Sequence, residues 1–158
     1  MPSTLDNKTK QRPFPRDCPK CGRQEVVLAV VPYSLQAKHD GDLHTIEIPE
    51  LESPRCRACG QLVFGVGVEK QINAAERTLL RLLKPAEIRD GRERLGLTQS
   101  ELANRLGVSE TALADWEADI SIQPRTADNL LRVFFAFPEV RSALNGKELD
   151  VSLGVLVG

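Results

Sequence analysis

Cys18-Pro19-Lys20-Cys21-Gly22 and Cys56-Arg57-Ala58-Cys59-Gly60 are the two stretches that decide the fold of the first part of this 158-residue chain. They hold all four of its cysteines, in the spacing C-x2-C-x34-C-x2-C. Two residues between cysteines let one tight turn direct both sulfurs at one ion, and the following glycine tolerates positive φ. The pattern predicts one structural zinc ion per chain with four thiolate ligands: Cys18, Cys21, Cys56 and Cys59.

Other uses of the four cysteines fit the sequence less well. Two disulfides would require an exported protein, and the stretch from Met1 to Arg16 has no apolar region typical of a signal peptide. A thioredoxin-like redox site uses one C-x-x-C motif, whereas this chain has two. An enzyme with a zinc active site keeps an open coordination position, which four thiolates close. His39 and His44 are further candidate ligands, but the four cysteines already saturate zinc.

Composition and charge limit the classes of protein that remain. Apolar residues make up 41% of the chain, which suits a globular core, and no apolar run is long enough to span a bilayer. Together with reduced cysteines, this predicts a cytoplasmic protein without a membrane partner. Residues 1–85 hold 13 Lys and Arg against 10 Asp and Glu, and residues 86–145 hold 7 against 10. Neither part has the basic balance typical of nucleic-acid binders.

The pattern between the two knuckles predicts a β hairpin, the layout of a zinc ribbon. Apolar and β-branched residues favour strands, and His39-Asp40-Gly41-Asp42 is a turn signal. We place the ribbon at 17–68, after a disordered tail at 1–16. The expected strands are Glu25–Val31 continuing beyond Pro32 as Tyr33–Lys38, then Leu43–Ile48, and a short closing strand, Leu62–Phe64.

A linker helix, Glu69–Leu83 within residues 69–85, is expected to follow the ribbon and to end before Pro85. Its apolar residues recur at helical spacing: Ile72, Ala75, Leu79 and Leu82. This stripe is expected to pack between the two domains. The alternative is contact with the same helix of a second chain.

Residues 86–145 predict a helical domain of five helices. Thr98 and Glu101 form a capping box, and Gly107-Val108-Ser109 joins two short helices at the spacing of a helix-turn-helix. Trp116 is expected in the core. The predicted fold class is therefore α+β with two domains, a small β zinc ribbon followed by an all-α helix-turn-helix domain. The tail at 146–158 either adds a strand to a sheet edge or is loosely packed.

The residues Gly96-Leu97-Thr98-Gln99-Ser100-Glu101-Leu102-Ala103, Leu106-Gly107-Val108-Ser109, Leu113 and Trp116-Glu117 resemble the repressor-type (XRE, lambda-repressor-like) helix-turn-helix. Together with the two knuckles, Pro32-Tyr33-Ser34 and Arg125–Arg132, they make residues 16–145 similar to MqsA-type antitoxins with YgiT-type zinc fingers. The resemblance implies a ribbon that binds a cognate toxin. It also implies a helix-turn-helix domain that forms a homodimer and binds the operator of its own operon.

Applied to this sequence, the resemblance implies a set of residues that contact DNA. The helix starting at Glu110 would enter the major groove with Glu110, Thr111 and Asp115 toward base edges. The remaining candidates are Gln99, Ser109, Arg105 and Arg125, with Arg92 and Arg94 as further phosphate contacts. The alternative for the arginines of the first helix is a solvated face with Glu87, Asp90 and Glu93 as partners.

The predicted function is a zinc-binding antitoxin that neutralises a toxin and represses its own operon. The family's groove-facing positions usually hold Asn and Arg, whereas this chain has Thr111 and Asp115, and a carboxylate accepts only from cytosine N4. The alternative is therefore a protein-interaction adaptor of the same fold with weak or no DNA binding. No catalytic set of residues can be assembled from the sequence, so an enzyme is not expected.

Overall fold

The computed structural model of the protein describes residues 13–145, and the predicted tails lie outside them except for residues 13–16. Within this range a strand pair, with the cysteine knuckles at its open end, precedes six helices, so the predicted α+β fold class is confirmed. The five helices after α1 are those expected for the helical domain. The elements are β1 (Val26–His39), β2 (Asp42–Cys56), α1 (Val66–Leu80), α2 (Pro85–Arg94), α3 (Gln99–Leu106), α4 (Glu110–Glu117), α5 (Arg125–Ala136) and α6 (Pro138–Ala143).

The hairpin of β1 and β2 is longer and more continuous than the sequence predicts. Asp40 and Gly41 make its turn with φ of 51° and 94°, the positive values of a two-residue primed turn. Both strands continue through prolines, which is tolerated because each strand of a two-stranded sheet has an edge free of ladder bonds. Ile46 and Ile48 are buried on one face of β2, but burial then shifts phase after Pro49 to Leu51 and Ser53.

The closing strand expected at Leu62–Phe64 is wrong. The segment makes one isolated bridge, between Leu62 and Arg55, instead of a third strand. The N–H of Val63 donates to the carbonyl of Pro54 at 2.8 Å, but proline has no N–H to return the bond. The ladder therefore stops after one bridge.

The linker helix has different bounds from those expected, Glu69–Leu83. It begins at Val66, after Gly65, whose carbonyl accepts from the N–H groups of Val68 and Glu69. It ends at Leu80 because Arg81 takes a φ of 53° and the next residue's N–H closes back to the carbonyl of Arg77 at 2.9 Å. Pro85 consequently begins α2 instead of ending α1.

The buried face of α1 is charged, which the apolar stripe did not predict. Leu79 is 51% exposed, whereas Arg77 is only 2% exposed. The guanidinium of Arg77 pairs with Asp119 and donates to the carbonyl of Ser121 at 2.7 Å. Because a buried guanidinium needs several acceptors, this helix face is specified by hydrogen bonds more than by apolar burial.

The helical domain is organised around one apolar core, and its helix ends follow the sequence signals. The Thr98 hydroxyl accepts from the N–H of Glu101 at 3.1 Å, and the Glu101 carboxylate accepts from the N–H of Thr98 at 2.7 Å. Gly107 ends α3 with a φ of 72°. The buried core residues are Ile88, Leu102, Ala103, Leu106, Leu113, Trp116, Ala127, Leu131 and Phe134.

The chain packs as two units that are each discontinuous in sequence. One contains the chain up to Ser34 together with Glu47–Gln71, and the other contains Leu35–Ile46 together with the chain from Ile72 onward. Residues Leu35–Ile46, here called the hairpin tip, therefore belong with the helices. The boundaries at 68 and 85 drawn from the sequence stay a prediction.

Candidate metal centre and nucleic-acid interface

The two cysteine knuckles have the same backbone structure. In each, the glycine N–H donates to the carbonyl of the first cysteine, at 2.9 Å for Gly22 and 2.8 Å for Gly60. The first cysteine's own N–H donates to the carbonyl five residues later, at 2.8 Å from Cys18 and 2.9 Å from Cys56. Both glycines have positive φ, 72° and 76°, a conformation that few other residues adopt without strain. The repeated turn therefore presents the sulfurs of both knuckles in the same way.

The four sulfurs converge on one point. All lie within 4.8 Å of one another, with Cys18 Sγ 3.6 Å from Cys59 Sγ and Cys21 Sγ 3.7 Å from Cys56 Sγ. A tetrahedron with metal–sulfur bonds of about 2.3 Å has edges of about 3.8 Å. A disulfide needs about 2.05 Å, so none is formed and all four cysteines are free. The arrangement can bind a metal ion such as zinc.

The thiols of the cluster do not ionise equally. The N–H of Cys21, followed by that of Lys20, stabilises the thiolate and lowers the pKa of Cys18 to about 6. For Cys59 the N–H of Gln61 also favours the thiolate, but desolvation and the neighbouring sulfurs oppose it and raise its pKa to about 11. A bound divalent cation is the group that allows all four sulfurs to be thiolates at once.

The histidines considered as ligands are not part of this cluster. Among the described residues the group of close metal-ligating side chains consists of the four cysteines alone. His39 instead lies beside two carboxylates, with Nε2 3.1 Å from Asp40 Oδ2 and Nδ1 4.0 Å from Glu76 Oε1. The donor set is therefore four sulfurs, which closes a tetrahedral shell.

The exposed side chains of α4 are those that the sequence aligns with the DNA groove. Ser109 caps the helix, its hydroxyl accepting from the N–H of Ala112 at 3.1 Å. Glu110 and Thr111 follow it in the first turn, and both are exposed. Asp115 is half-buried one turn later. Arg105, in the last turn of α3, is also half-buried. The exposed start of α4 therefore presents one carboxylate and two hydroxyls.

Gln99 and Arg92 make internal contacts instead of facing solvent freely. Gln99 Nε2 donates to Glu117 Oε2 at 2.9 Å, and Arg92 donates to both oxygens of the same carboxylate, at 2.7 and 2.9 Å. The Glu117 side chain is 2% exposed and that of Arg92 is 12% exposed. The interpretation of Arg92 as part of a solvated face is therefore wrong, because it is drawn into the domain by a distant carboxylate.

Arg125 is likewise held inside the second unit. Its guanidinium donates to the carbonyl of Leu80 and lies 3.8 Å from Asp128 Oδ2. Its backbone N–H donates to Asp40 Oδ2 at 2.8 Å. Side-chain exposure of 41% still leaves part of the guanidinium accessible.

Sequence reasoning missed a buried carboxylate that joins the loop after α1, the loop before α5 and α5 itself. Asp128 Oδ1 accepts from the N–H of Leu83 at 2.7 Å and from Gln123 Nε2 at 3.1 Å, while Oδ2 accepts from Arg132 Nε at 2.7 Å. Burial alone would raise the pKa of Asp128, but these donors lower it below its ordinary value. The Asp128–Arg132 spacing of four residues was the available signal.

Comparison with known protein families matches residues 88–136 to a family described as helix-turn-helix. The match begins in α2 and ends at the last residue of α5, so it contains both helices joined at Gly107 and the core around Trp116. These residues form a helix-turn-helix domain, which is a DNA-binding domain. No curated protein matches the chain. None of the helices within residues 13–145 has the length and apolar character needed to cross a membrane.

Proposed function

We propose that the protein is a zinc-binding antitoxin that neutralises a toxin and represses its own operon as a DNA-binding homodimer. The observation that carries the proposal is the pairing, in one chain, of a four-cysteine centre with a helix-turn-helix domain whose α4 exposes Glu110 and Thr111. Either part alone occurs in many proteins. The combination, in this order along the chain, supports the resemblance to MqsA-type antitoxins.

The metal in this proposal is one structural zinc ion per chain. The support is the approach of the sulfurs to within tetrahedral distances and the closed set of four soft ligands. Cys18 and Cys56 are buried beside Val26, where they form the small core of the ribbon. Zinc at this centre would hold the two knuckles together. Its binding would also supply folding free energy that such a small apolar core cannot provide.

The surface proposed to bind the toxin lies on the ribbon. Leu28 and Val30 of β1 are 58% and 60% exposed, which is unusual for neighbouring apolar residues on one strand face. Among the described residues the sheet has two strands, and outside the isolated bridges at Val26 and Arg55 each strand has an unpaired outer edge. An apolar face beside a free edge is suited to a protein partner.

In the proposed DNA complex α4 lies in the major groove. Glu110, Thr111 and Asp115 would then face base edges, with Ser109 at the helix start near the backbone. Arg105 and Arg125 would contact phosphates. Gln99 is proposed for the phosphate at the start of α3 through the N–H of its side-chain amide that is not donated to Glu117.

A second candidate function, a protein-interaction adaptor with weak or no DNA binding, is favoured by a specific observation. Glu117 engages Arg92 and Gln99, and Arg125 donates to Leu80 and Asp40, so several of the expected phosphate contacts are already used internally. The charged group that is exposed at the start of α4 is the carboxylate of Glu110, and DNA phosphates repel it. Direct measurement of DNA binding separates the two functions.

We expect the protein to bind the DNA upstream of its own reading frame in a mobility-shift assay, with an affinity that falls as salt rises. Thr111→Ala should weaken selective binding about tenfold without changing the salt slope, because it removes a base contact. Arg105→Ala should weaken selective and non-selective DNA alike and reduce the slope by about one. Thr45→Ala, the same change on the exposed face of β2, is the matched control.

Absence of binding at low salt would contradict the repressor proposal and favour the adaptor. Equal losses for Thr111→Ala and Thr45→Ala would contradict the placement of α4 in the groove. In that case the domain would contact DNA through another surface.

The antitoxin role is tested with the product of the adjacent reading frame. We expect its expression to arrest growth, and coexpression of the full chain to restore growth and to yield a complex of the two proteins. The Cys56→Ser variant should fail in both respects, since the proposed toxin-binding ribbon depends on the metal. A harmless neighbour, or one that does not bind the chain, would reject the antitoxin role while leaving the DNA-binding regulator intact.

A further inference from the structure

The hairpin tip reaches the first residue of α5 through one carboxylate. Asp40 Oδ2 accepts the backbone N–H of Arg125 at 2.8 Å, across 85 residues of sequence. His39 Nε2 lies 3.1 Å from the same oxygen, and its Nδ1 lies 4.0 Å from Glu76 of α1. The side chain of His39 is 12% exposed, so this residue of the tip packs against its neighbours, whereas Leu43 beyond the turn is 70% exposed.

Asp40 supplies a cap that the sequence before α5 does not provide. The N-cap residue is Pro124, which makes no side-chain capping bond. The first N–H groups of a helix have no partner within the helix, and they favour an anion because the helix dipole is positive there. Asp40 brings a negative oxygen to this end from the turn of the hairpin. Its positive φ of 51° places it at the apex of that turn.

The same N–H is a natural contact for a DNA phosphate. Helix N-termini and backbone N–H groups are frequent phosphate donors in protein–DNA complexes. In this chain α5 follows the loop after α4, and Arg125 is one of the residues proposed above to contact the backbone. A carboxylate and a phosphate cannot both accept this one N–H, and the two anions repel each other.

We propose that the hairpin tip is an autoinhibitory cap on the helix-turn-helix domain: Asp40 occupies the N-terminus of α5 and lowers the affinity for the operator. Full contact with DNA requires release of Asp40 from Arg125. The inference rests on the proposed DNA-binding function, and it adds a regulatory contact to it. It also connects the ribbon to DNA binding through the chain itself, because β1 and β2 run from the knuckles into the tip.

The first test is the operator affinity of Asp40→Gly across a salt series. Glycine accepts the positive φ of this position and leaves no side chain, so the turn is retained. We expect binding at least about fivefold tighter, and a slope of log K against log salt steeper by about 0.9, the value for one added phosphate contact. The matched control is Asp42→Ala, which removes the same charge two residues further on and should change affinity less than about twofold.

A second pair of variants separates loss of the cap from loss of charge. Arg125→Pro deletes the N–H at the first position of α5, where proline is favoured, and the ψ of 155° at Pro124 suits a residue that precedes proline. Arg125→Ala removes the guanidinium but keeps the N–H. Asp40→Gly should retain its effect when combined with Arg125→Ala and lose it when combined with Arg125→Pro. Circular dichroism of each variant checks that the helices are intact.

The outcomes distinguish the inference from the function on which it rests. Equal affinity of the wild type and Asp40→Gly for an operator that both bind would overturn the autoinhibitory cap alone. An effect that persists with Arg125→Pro would overturn it as well, because simple charge removal would then explain the gain. If neither protein binds any DNA at low salt, the DNA-binding function and the inference fail together. Binding by Asp40→Gly only would support both.

Discussion

Replacing Cys56 by serine is expected to abolish metal binding and unfold the ribbon while the core of the helical domain remains folded. Structural zinc sites contribute about 10–16 kcal/mol of apparent binding free energy, which exceeds the stability of most small domains. The apolar core of the ribbon is small, consisting of Val26 and half-buried Val63 beside Cys18 and Cys56. Elemental analysis should fall from about one zinc per chain to near zero. Circular dichroism should lose the strand contribution of the residues outside the hairpin tip.

The intrinsic fluorescence of the protein offers a separate readout for the helical domain. Trp116 is the only tryptophan of the chain and is 5% exposed in the core of that domain. Its emission should therefore stay that of a buried indole in Cys56→Ser. Lys20→Ala, an exposed change inside the first knuckle, is the control and should keep both zinc and strands. A metal-free wild-type protein with redox-active disulfides would contradict the structural zinc site.

The second large effect is expected from Glu117→Gln, which removes the buried charge that holds Arg92. The Glu117 carboxylate accepts from Arg92 and Gln99 in a place where its side chain is 2% exposed. Breaking a buried pair from one side costs about 3–5 kcal/mol because the other charge stays buried without its partner. Chemical denaturation followed by Trp116 fluorescence measures the free energy of unfolding directly.

The control for this variant is Glu93→Gln, the same chemical change at another partner of Arg92. Glu93 Oε1 lies 3.7 Å from Arg92 Nη2, but its side chain is 59% exposed. An exposed pair contributes about 0–1 kcal/mol, so this change should have little effect. Similar losses of stability in the two variants would show that Glu117 is screened by solvent, contrary to its burial.

Glu117 also gives the helical domain a dependence on pH with a defined sign. Burial alone would raise its pKa, but the bonds from Arg92 and Gln99 and the charges of Arg92 and Arg89 lower it below the ordinary value. A lowered folded-state pKa contributes stability that is present above the unfolded-state pKa. That stability is lost as the pH falls through the folded-state pKa. The acid loss of stability should therefore be smaller in Glu117→Gln than in the wild type.

The features that the sequence predicts well are set by residues close together in the chain. The knuckles depend on two cysteines and a glycine within five residues, and the capping box depends on Thr98 and Glu101. The core position of Trp116 follows from helical spacing. In each case the physical cause is a turn or a helix period, which a short window of sequence contains.

The features that the sequence does not predict depend on distant partners. Nothing local to Arg92 indicates Glu117, and nothing local to Arg77 indicates Ser121 or Asp119. In the candidate site, by contrast, the four cysteines could be grouped from their spacing. The internal use of the Gln99 amide and of the Arg125 backbone N–H could not be foreseen, because their acceptors lie 18 and 85 residues away.

The division of the chain into two discontinuous units has a consequence for the order in which the protein can fold during synthesis. The cysteine knuckles are complete once Cys59 has left the ribosome, and residues Leu35–Ile46 are already present by then. Arg125, whose N–H donates to Asp40, is synthesised much later. The turn at Asp40 therefore forms before the helical domain that it contacts is complete. A ribbon with bound metal would stabilise the conformation of that turn until the helical domain has been synthesised. Zinc supply during translation should therefore affect the yield of correctly assembled protein more than zinc supply after release.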